Sequence, residues 1–330
     1  MKLAHLFFSD IPDIRWDLCS QMGIRYAVAK LAPELTGKKP VWNYDTMKQA
    51  KGTFAAHGFD LIALEGDQFD MSRIKLGQPG REEDAQNYRQ MLANMGRLGI
   101  TTLCYNFMQT GWFRTRKDYP ERGGALVTAF DIDDARRLQP KAYAPVSAER
   151  IWANYEWFIS QVMPAAEEAG VRMCLHPDDP PVPSVEGVDR IFTTPEAVDR
   201  ALSLSDSPSH GLTFCQGTYK TMGADIPAIF SKWRRRIHFI HIRDVAGNAE
   251  HFHETFHDNG PSDMPALLKH YRDEGFDGLI RSDHVPTMAG EDNDRPSYSM
   301  NGSLFGVGYL KGMLDSLNIT TDAINFGLKV

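Results

Sequence analysis

The feature that most restricts this chain is a rhythm of short β-rich runs separated by segments with helical spacing. The runs are residues 3–8 (LAHLFF), 24–29 (IRYAVA), 59–65 (FDLIALE), 100–107 (ITTLCYNF), 171–176 (VRMCLH), 212–217 (LTFCQG), 237–244 (IHFIHIRD) and 276–283 (FDGLIRSD). Gly58, Gly99, Gly170, Gly211 and Gly275 each stand next to or near the start of a run. A glycine there lets a helix end in the left-handed conformation at low cost before the strand begins. Between the runs, Tyr88, Met91, Leu92, Met95 and Leu98 recur at three and four residues, as do Ile151, Tyr155, Phe158, Ile159 and Val162. Strand then helix, about eight times with no break in composition, predicts one parallel α/β domain over residues 1–330. A closed (β/α)8 TIM barrel fits better than a doubly wound open sheet, because no Gly-rich phosphate loop follows the first run. Two segments, about 108–144 and 245–261, are too long for ordinary connections. Both follow candidate strands, so both are expected as long loops at the C-terminal mouth, where barrels keep their active sites.

Bulk composition removes several classes of function. With 42% hydrophobic and 24% charged residues the chain can bury a full core. The formal net charge is −7 and the longest basic block is Arg234-Arg235-Arg236, which argues against nucleic acid as a partner. No apolar run approaches the roughly 20 residues needed to span a bilayer. The opening MKLAHLFFSDIPD reads as a first strand, because an acidic turn stands where a signal peptide would have its small-residue cleavage site. Cys19, Cys104, Cys174 and Cys215 show no close pairing pattern, which suits the reduced cytoplasm.

The ends of the last four runs present His176, Cys215, His241 and Asp283. A barrel would bring all four to one rim, and nitrogen, sulfur, nitrogen and oxygen donors suit a first-row divalent ion such as Mn²⁺, Zn²⁺ or Fe²⁺. Any one of them alone reads more simply as a buried structural residue; four consecutive strand ends agreeing favours a metal. His238 and His241 fall on opposite faces of their strand, and His241 lies nearer the rim, with Arg243 on its side. Glu65, at the end of the third run, is a further carboxylate at the mouth. HETFH, residues 253–257, matches a zinc-protease pattern, but Asp258-Asn259-Gly260-Pro261 breaks the segment at once. A substrate-covering loop carrying His257 is the better reading. His284 and Tyr298 become candidates for proton transfer if they lie near a metal and an acidic substrate. The prolines of HPDDPP restrict the exit backbone, so Asp178 and Asp179 are expected near the mouth, in a substrate-hydroxyl or supporting role.

The segments CLHPDDPP, LTFCQG, IHFIHIRD, FHETFHDNGPSDM, RSDH and RPSY, with LCYNFMQTGWFRT, resemble the mannonate dehydratase family over about residues 65–312. The resemblance implies a barrel related to the xylose-isomerase-like superfamily and dehydration of D-mannonate to 2-keto-3-deoxy-D-gluconate, a step of hexuronate catabolism. It implies a divalent metal, usually Mn²⁺ with Fe²⁺, Co²⁺ or Zn²⁺ as alternatives, on His176, Cys215, His241 and Asp283. His284 and Tyr298 match the family's acid/base positions, without a decision as to which is the acid, and His257 and Arg243 match substrate contacts. The chain departs from the family pattern at Ser282, Val285-Pro286, Gly111-Trp112-Phe113 and Asn301. These departures bear on the identity of the sugar acid more than on the metal. A small sugar acid is the expected partner, with neither nucleic acid nor membrane, and a homo-oligomer, dimer or larger, is expected. The competing reading is a metal-dependent sugar isomerase or epimerase on the same barrel, against which Cys215 weighs, since such enzymes hold metal with carboxylates and histidine.

Overall fold

Eight strands of four to six residues are buried along most of their length on both faces, which is the pattern of a parallel sheet covered on each side. In a computed structural model that describes residues 1–319 they close into a barrel. The strands are β1 (Lys2–Phe7), β2 (Tyr26–Ala29), β3 (Asp60–Glu65), β4 (Thr102–Tyr105), β5 (Arg172–Leu175), β6 (His210–Cys215), β7 (Ile237–Ile242) and β8 (Leu279–Ser282). Each pairs in parallel with its sequence neighbours, and Leu3 on β1 lies level with Ile280 on β8 to close the ring. The expected barrel is thus observed, and each expected run contains most of its strand.

Alternation divides the side chains into two layers. Leu6, Val28, Ile62, Cys104, Phe239 and Leu279 fill the interior. Met173, Leu175, Phe214 and Ile240 point outward into the larger core between strands and helices. Each such side chain, fully buried, contributes roughly 1.5–3 kcal/mol. The helix Ala148–Ala169 shows how the outer layer is assembled. Ser147 caps its start by accepting a hydrogen bond from the Arg150 N–H, Ile151, Tyr155, Phe158, Ile159 and Val162 are buried, and Gly170 ends it at φ +65°. Gly58, Gly99 and Gly275 also take positive φ, as expected. Gly211 does not: it lies inside β6, where a methyl group would collide with the Arg236 carbonyl and the His238 ring.

The two long segments are not loops. Residues Arg116–Pro120, Leu126–Asp131, Val245–Gly247 and His251–Glu254 form one antiparallel four-stranded sheet over the mouth. His251 pairs with Asp131, Phe252 with Phe130 and His253 with Ala129, so the two insertions meet edge to edge. Their shared apolar cluster contains Phe130, Ile132, Val182, Val245 and Phe252. HETFH therefore begins as a strand rather than as a mobile cover, and His257 is 1% exposed.

Packing predicts opposite results at two helical glycines. Gly96 sits where a methyl group would meet the Ala169 carbonyl of the neighbouring helix, whereas Gly52, in helix Tyr44–Ala56, faces open space. Gly96→Leu is expected to lower the unfolding free energy by about 1–3 kcal/mol. Gly52→Ala is expected to raise it by about 0.4–1 kcal/mol. Urea titration of both variants measures the contrast.

Candidate active site

The strand register brings four donors to one level. Cys215, the last residue of β6, lies beside His241 on β7, which lies beside Arg281 on β8. His176 and Asp283 follow β5 and β8 by one residue. Donor atoms of His176, Cys215 and His241 all lie within 4.8 Å of one another. Asp283 Oδ2 is 3.7 Å from His241 Nδ1 and 3.9 Å from Cys215 Sγ. His176 Nδ1 is 2.7 Å from the Pro177 carbonyl, which fixes the proton on Nδ1 and turns the Nε2 lone pair toward the cluster.

Charge makes this cluster fit a cation. Burial opposes ionisation of Cys215, but Arg243 and His176 outweigh it and hold the thiol well below its ordinary range. Burial likewise opposes protonation of His176, yet the Cys215 charge pushes the imidazole up to about 9. Asp283, Asp179, Glu254 and Glu65 are also held low, each by arginine or histidine against the cost of burial. Five ionised acids (Glu65, Asp179, Cys215, Glu254 and Asp283) face three arginines (Arg114, Arg243 and Arg281), leaving two negative charges when the imidazoles are neutral. A divalent ion on the four donors would balance them.

The arginines hold the acids in place. Arg281 grips Glu65 through two contacts of 2.6 and 3.0 Å and reaches Asp283 at 2.9 Å. Glu65 in turn lies 3.3 Å from His241 Nε2. Arg243 donates to both oxygens of Glu254 and to Asp179, and its Nε is 3.2 Å from Asp283. Arg114, from the first insertion, binds Asp179 through both terminal nitrogens and Glu254 at 2.6 Å. Glu254 accepts from His284 Nδ1 at 2.9 Å. The ring of His284 meets Tyr298 edge-on at 5.5 Å and Trp112 at 5.1 Å. His284 and Tyr298 line a cavity of about 270 Å³ with Leu6, Phe8 and Arg281.

His176, Cys215, His241, Asp283, His284 and Tyr298 are therefore brought together as expected. The five residues expected at the substrate all have protein partners. Arg243, Asp179 and Glu65 belong to the charge network just described. Asp178 Oδ2 accepts from the backbone N–H groups of Ile191 and Phe192, which pins a loop. His257 Nε2 contacts the Ile242 carbonyl and the Ser282 hydroxyl, and its ring lies with Ser282 against Gly306 of the last helix, so the imidazole stands behind the rim. Arg281, Glu254, Arg114 and Trp112 were not anticipated. Arg281 was legible from alternation, two residues before Asp283 on the same face; Glu254 was hidden inside the dismissed HETFH.

The family described as D-mannonate dehydratase (UxuA) matches residues 1–142 and 133–323. The chain belongs to the mannonate dehydratase family. A protein named mannonate dehydratase 2 from Halalkalibacterium halodurans is 31% identical, with 96% of this chain and 100% of that one covered. A mannonate dehydratase from Streptococcus uberis is 33% identical over 84% of this chain and 87% of its own. The crystal structure of mannonate dehydratase from Streptococcus suis serotype 2 superposes with a TM-score of 0.90 at 30% identity, covering 100% of this chain and 99% of that one. A 3-keto-D-glucoside 4-epimerase from E. coli, at 15% identity and a TM-score of 0.62, shares the barrel fold over 94% of this chain and 99% of its own. Membership of the mannonate dehydratase family makes the chain a sugar-acid dehydratase, a hydro-lyase, and sets aside the isomerase alternative.

The buried charges predict how the fold responds to acid. Asp179 and Glu254 hold protons less tightly folded than unfolded, where such groups titrate near about 4. Their stabilisation is complete above that value and is lost as pH falls through the folded values, about 2 for Glu254. The urea midpoint of metal-free protein is expected to fall progressively as the pH is lowered from about 5 toward about 2. Arg114→Leu should cost about 3–5 kcal/mol at neutral pH by leaving both carboxylates to Arg243 alone, and should flatten the acid dependence.

Proposed function

We propose that this chain converts D-mannonate to 2-keto-3-deoxy-D-gluconate and water, a step in hexuronate catabolism, using a divalent cation on His176, Cys215, His241 and Asp283. The observation that carries this reading is the buried donor set of His176, Cys215 and His241, with donor atoms within 4.8 Å of one another, and Asp283 next to them beside His284 and Tyr298. Mn²⁺ is the ion we favour, with Fe²⁺, Co²⁺ and Zn²⁺ as the alternatives. When bound, such an ion supplies Lewis acidity that lowers the cost of charge building on a carboxylate as its α-proton leaves.

The chain's own groups divide the proton transfers. His284 has its Nδ1–H committed to Glu254, so Nε2 offers a lone pair to the C2 proton. Burial, reinforced by Asp283 and opposed by Arg281, keeps the Tyr298 hydroxyl protonated. In this reading the C2–H bond breaks to His284 and its electron pair passes into the carboxylate as an enediolate. As that pair returns, the C2–C3 double bond forms while the C3–O bond breaks, and the Tyr298 proton leaves with the hydroxyl as water. The resulting enol becomes the 2-keto acid by losing its C2 hydroxyl proton and gaining one at C3, and Tyr298 is reprotonated through His284 or solvent. Phe8 walls the cavity, and Trp112 packs edge-on against the His284 ring. Arg281 and Glu65 hold Asp283 and His241 in position.

The reading places the protein in the cytoplasm, where four buried free cysteines, one of them a proposed ligand, stay reduced. Among the described residues no helix is long and apolar enough to cross a membrane. It also takes the protein as a homo-oligomer, dimer or larger; Ile11 and Ile14, 56% and 67% exposed, are apolar side chains that such a contact would cover.

Protein loaded with Mn²⁺, and separately with Fe²⁺, Co²⁺ or Zn²⁺, is incubated with a panel of aldonic acids and assayed for 2-keto-3-deoxy products. D-Mannonate should give product fastest. Metal bound without product from any acid would sink the reading. Cys215→Ala should lose metal affinity by at least about tenfold, and a variant that keeps full occupancy would remove Cys215 from the ligand set.

A further inference from the structure

The barrel strands bring His284 to the rim, but none of them supplies the group that aims its ring. Its backbone is in the left-handed region at φ +27°, where a side chain is seldom held without outside support. That support comes from the insertion sheet. Glu254, the last residue of the strand His251–Glu254, is 1% exposed and lies 2.9 Å from His284 Nδ1. Arg114, carried by the other insertion, and Arg243, just past β7, both donate to the same carboxylate oxygen that receives His284. An ionised carboxylate only accepts, so the proton of the neutral imidazole must sit on Nδ1. Nε2, 3.8 Å from Asp283 Oδ1, is then left bare toward the donor cluster.

We propose that Glu254 is a positioning residue that fixes the tautomer and aim of His284, making the insertion sheet part of the reacting apparatus rather than a cover. The proposal rests on His284 being the proton-transfer residue of the function given above. Removing the carboxylate does more than delete a contact. The nearest polar groups would then be the guanidiniums of Arg114 and Arg243, which only donate. They would draw Nδ1 into accepting and move the proton to Nε2, where it blocks abstraction from the substrate.

The test reads the tautomer directly. Full-length protein carrying ¹⁵N-histidine is prepared metal-free and loaded with diamagnetic Zn²⁺, and the His284 resonances are assigned by their loss in His284→Asn. At about pH 8, wild type should show a protonated Nδ1 and a bare Nε2. Glu254→Ala should show the reverse, and Glu254→Gln, which keeps an acceptor oxygen, should retain the wild-type pattern. With Mn²⁺, the kcat of Glu254→Ala should fall about 10²-fold or more while KM stays within about threefold, with Glu254→Gln between it and wild type. A proton on Nε2 in wild type, or an unchanged tautomer in Glu254→Ala, overturns the proposal. If Glu254→Ala does not fold, the wild-type spectrum and the order of kcat in Glu254→Gln still decide it. The spectra need no turnover, so absence of dehydratase activity in wild type would fail the functional reading and leave the tautomer result standing.

Discussion

Burying five acidic groups at one barrel mouth is possible only because three arginines are buried with them. A carboxylate taken out of water alone would cost several kcal/mol or take up a proton. Here each guanidinium spans acids that come from different parts of the chain. Arg281 ties Glu65 on β3 to Asp283 beyond β8, closing the mouth across the β1–β2 side. Arg243 and Arg114 tie Asp179, which follows β5, to Glu254 in the insertion sheet. Charge compensation and geometry are thus one requirement. Lysine would not substitute easily, because these contacts use the planar fork of the guanidinium to meet several oxygens at once.

How much of this was legible in sequence followed from distance along the chain. The barrel and its rim residues depend on local alternation and on strand ends, and His176, Cys215, His241 and Asp283 could be read one strand at a time. The insertion sheet could not. RKDYP is largely exposed and has little β character, and the central pairing joins His251 to Asp131 across 120 residues. Nothing within either segment announces its partner. The protein partners of the expected substrate contacts were hidden for a related reason. Arg243, Asp179 and Glu65 have the chemistry of ligand-binding groups, and only three-dimensional neighbours reveal that other protein groups already hold them. His257 was misplaced for a simpler reason, since a break at Asp258-Asn259-Gly260-Pro261 looked like a free loop while its imidazole was buried behind Ser282.

The backbone at the mouth is under strain at two places, at His284 and beside Tyr298. His284 has φ +27° and Ser297, just before Tyr298, has φ +71°. Neither is glycine, so each conformation costs on the order of 1–3 kcal/mol. They are locked to one another: the Val285 N–H donates to the Ser297 carbonyl at 2.9 Å, and Ser297 Oγ lies 2.9 Å from Thr128 Oγ1 in the insertion sheet. Thr287 and Leu126 exchange backbone hydrogen bonds a few residues further on. The segment between β8 and the last helix is therefore stitched to the insertions at Ser297 and Thr287.

That coupling explains where variation in this mouth can be tolerated. Altering any member of the charge network strands a buried partner, a loss of about 3–5 kcal/mol that a marginally stable fold cannot easily absorb. The departures from the family pattern avoid it. Ser282, on the outer side of β8, is used to hold His257, and Trp112 lies against His284 without sharing its hydrogen bond to Glu254. Val285 contributes backbone pairing to Ser297, and its side chain packs against Gly302 at the cavity wall. Changes at such positions reshape the chamber wall around His284 and Tyr298 while every buried charge keeps its partner. The physical separation is between a network that must stay neutral and a wall that need only stay packed, and a barrel of this kind can vary the second without disturbing the first.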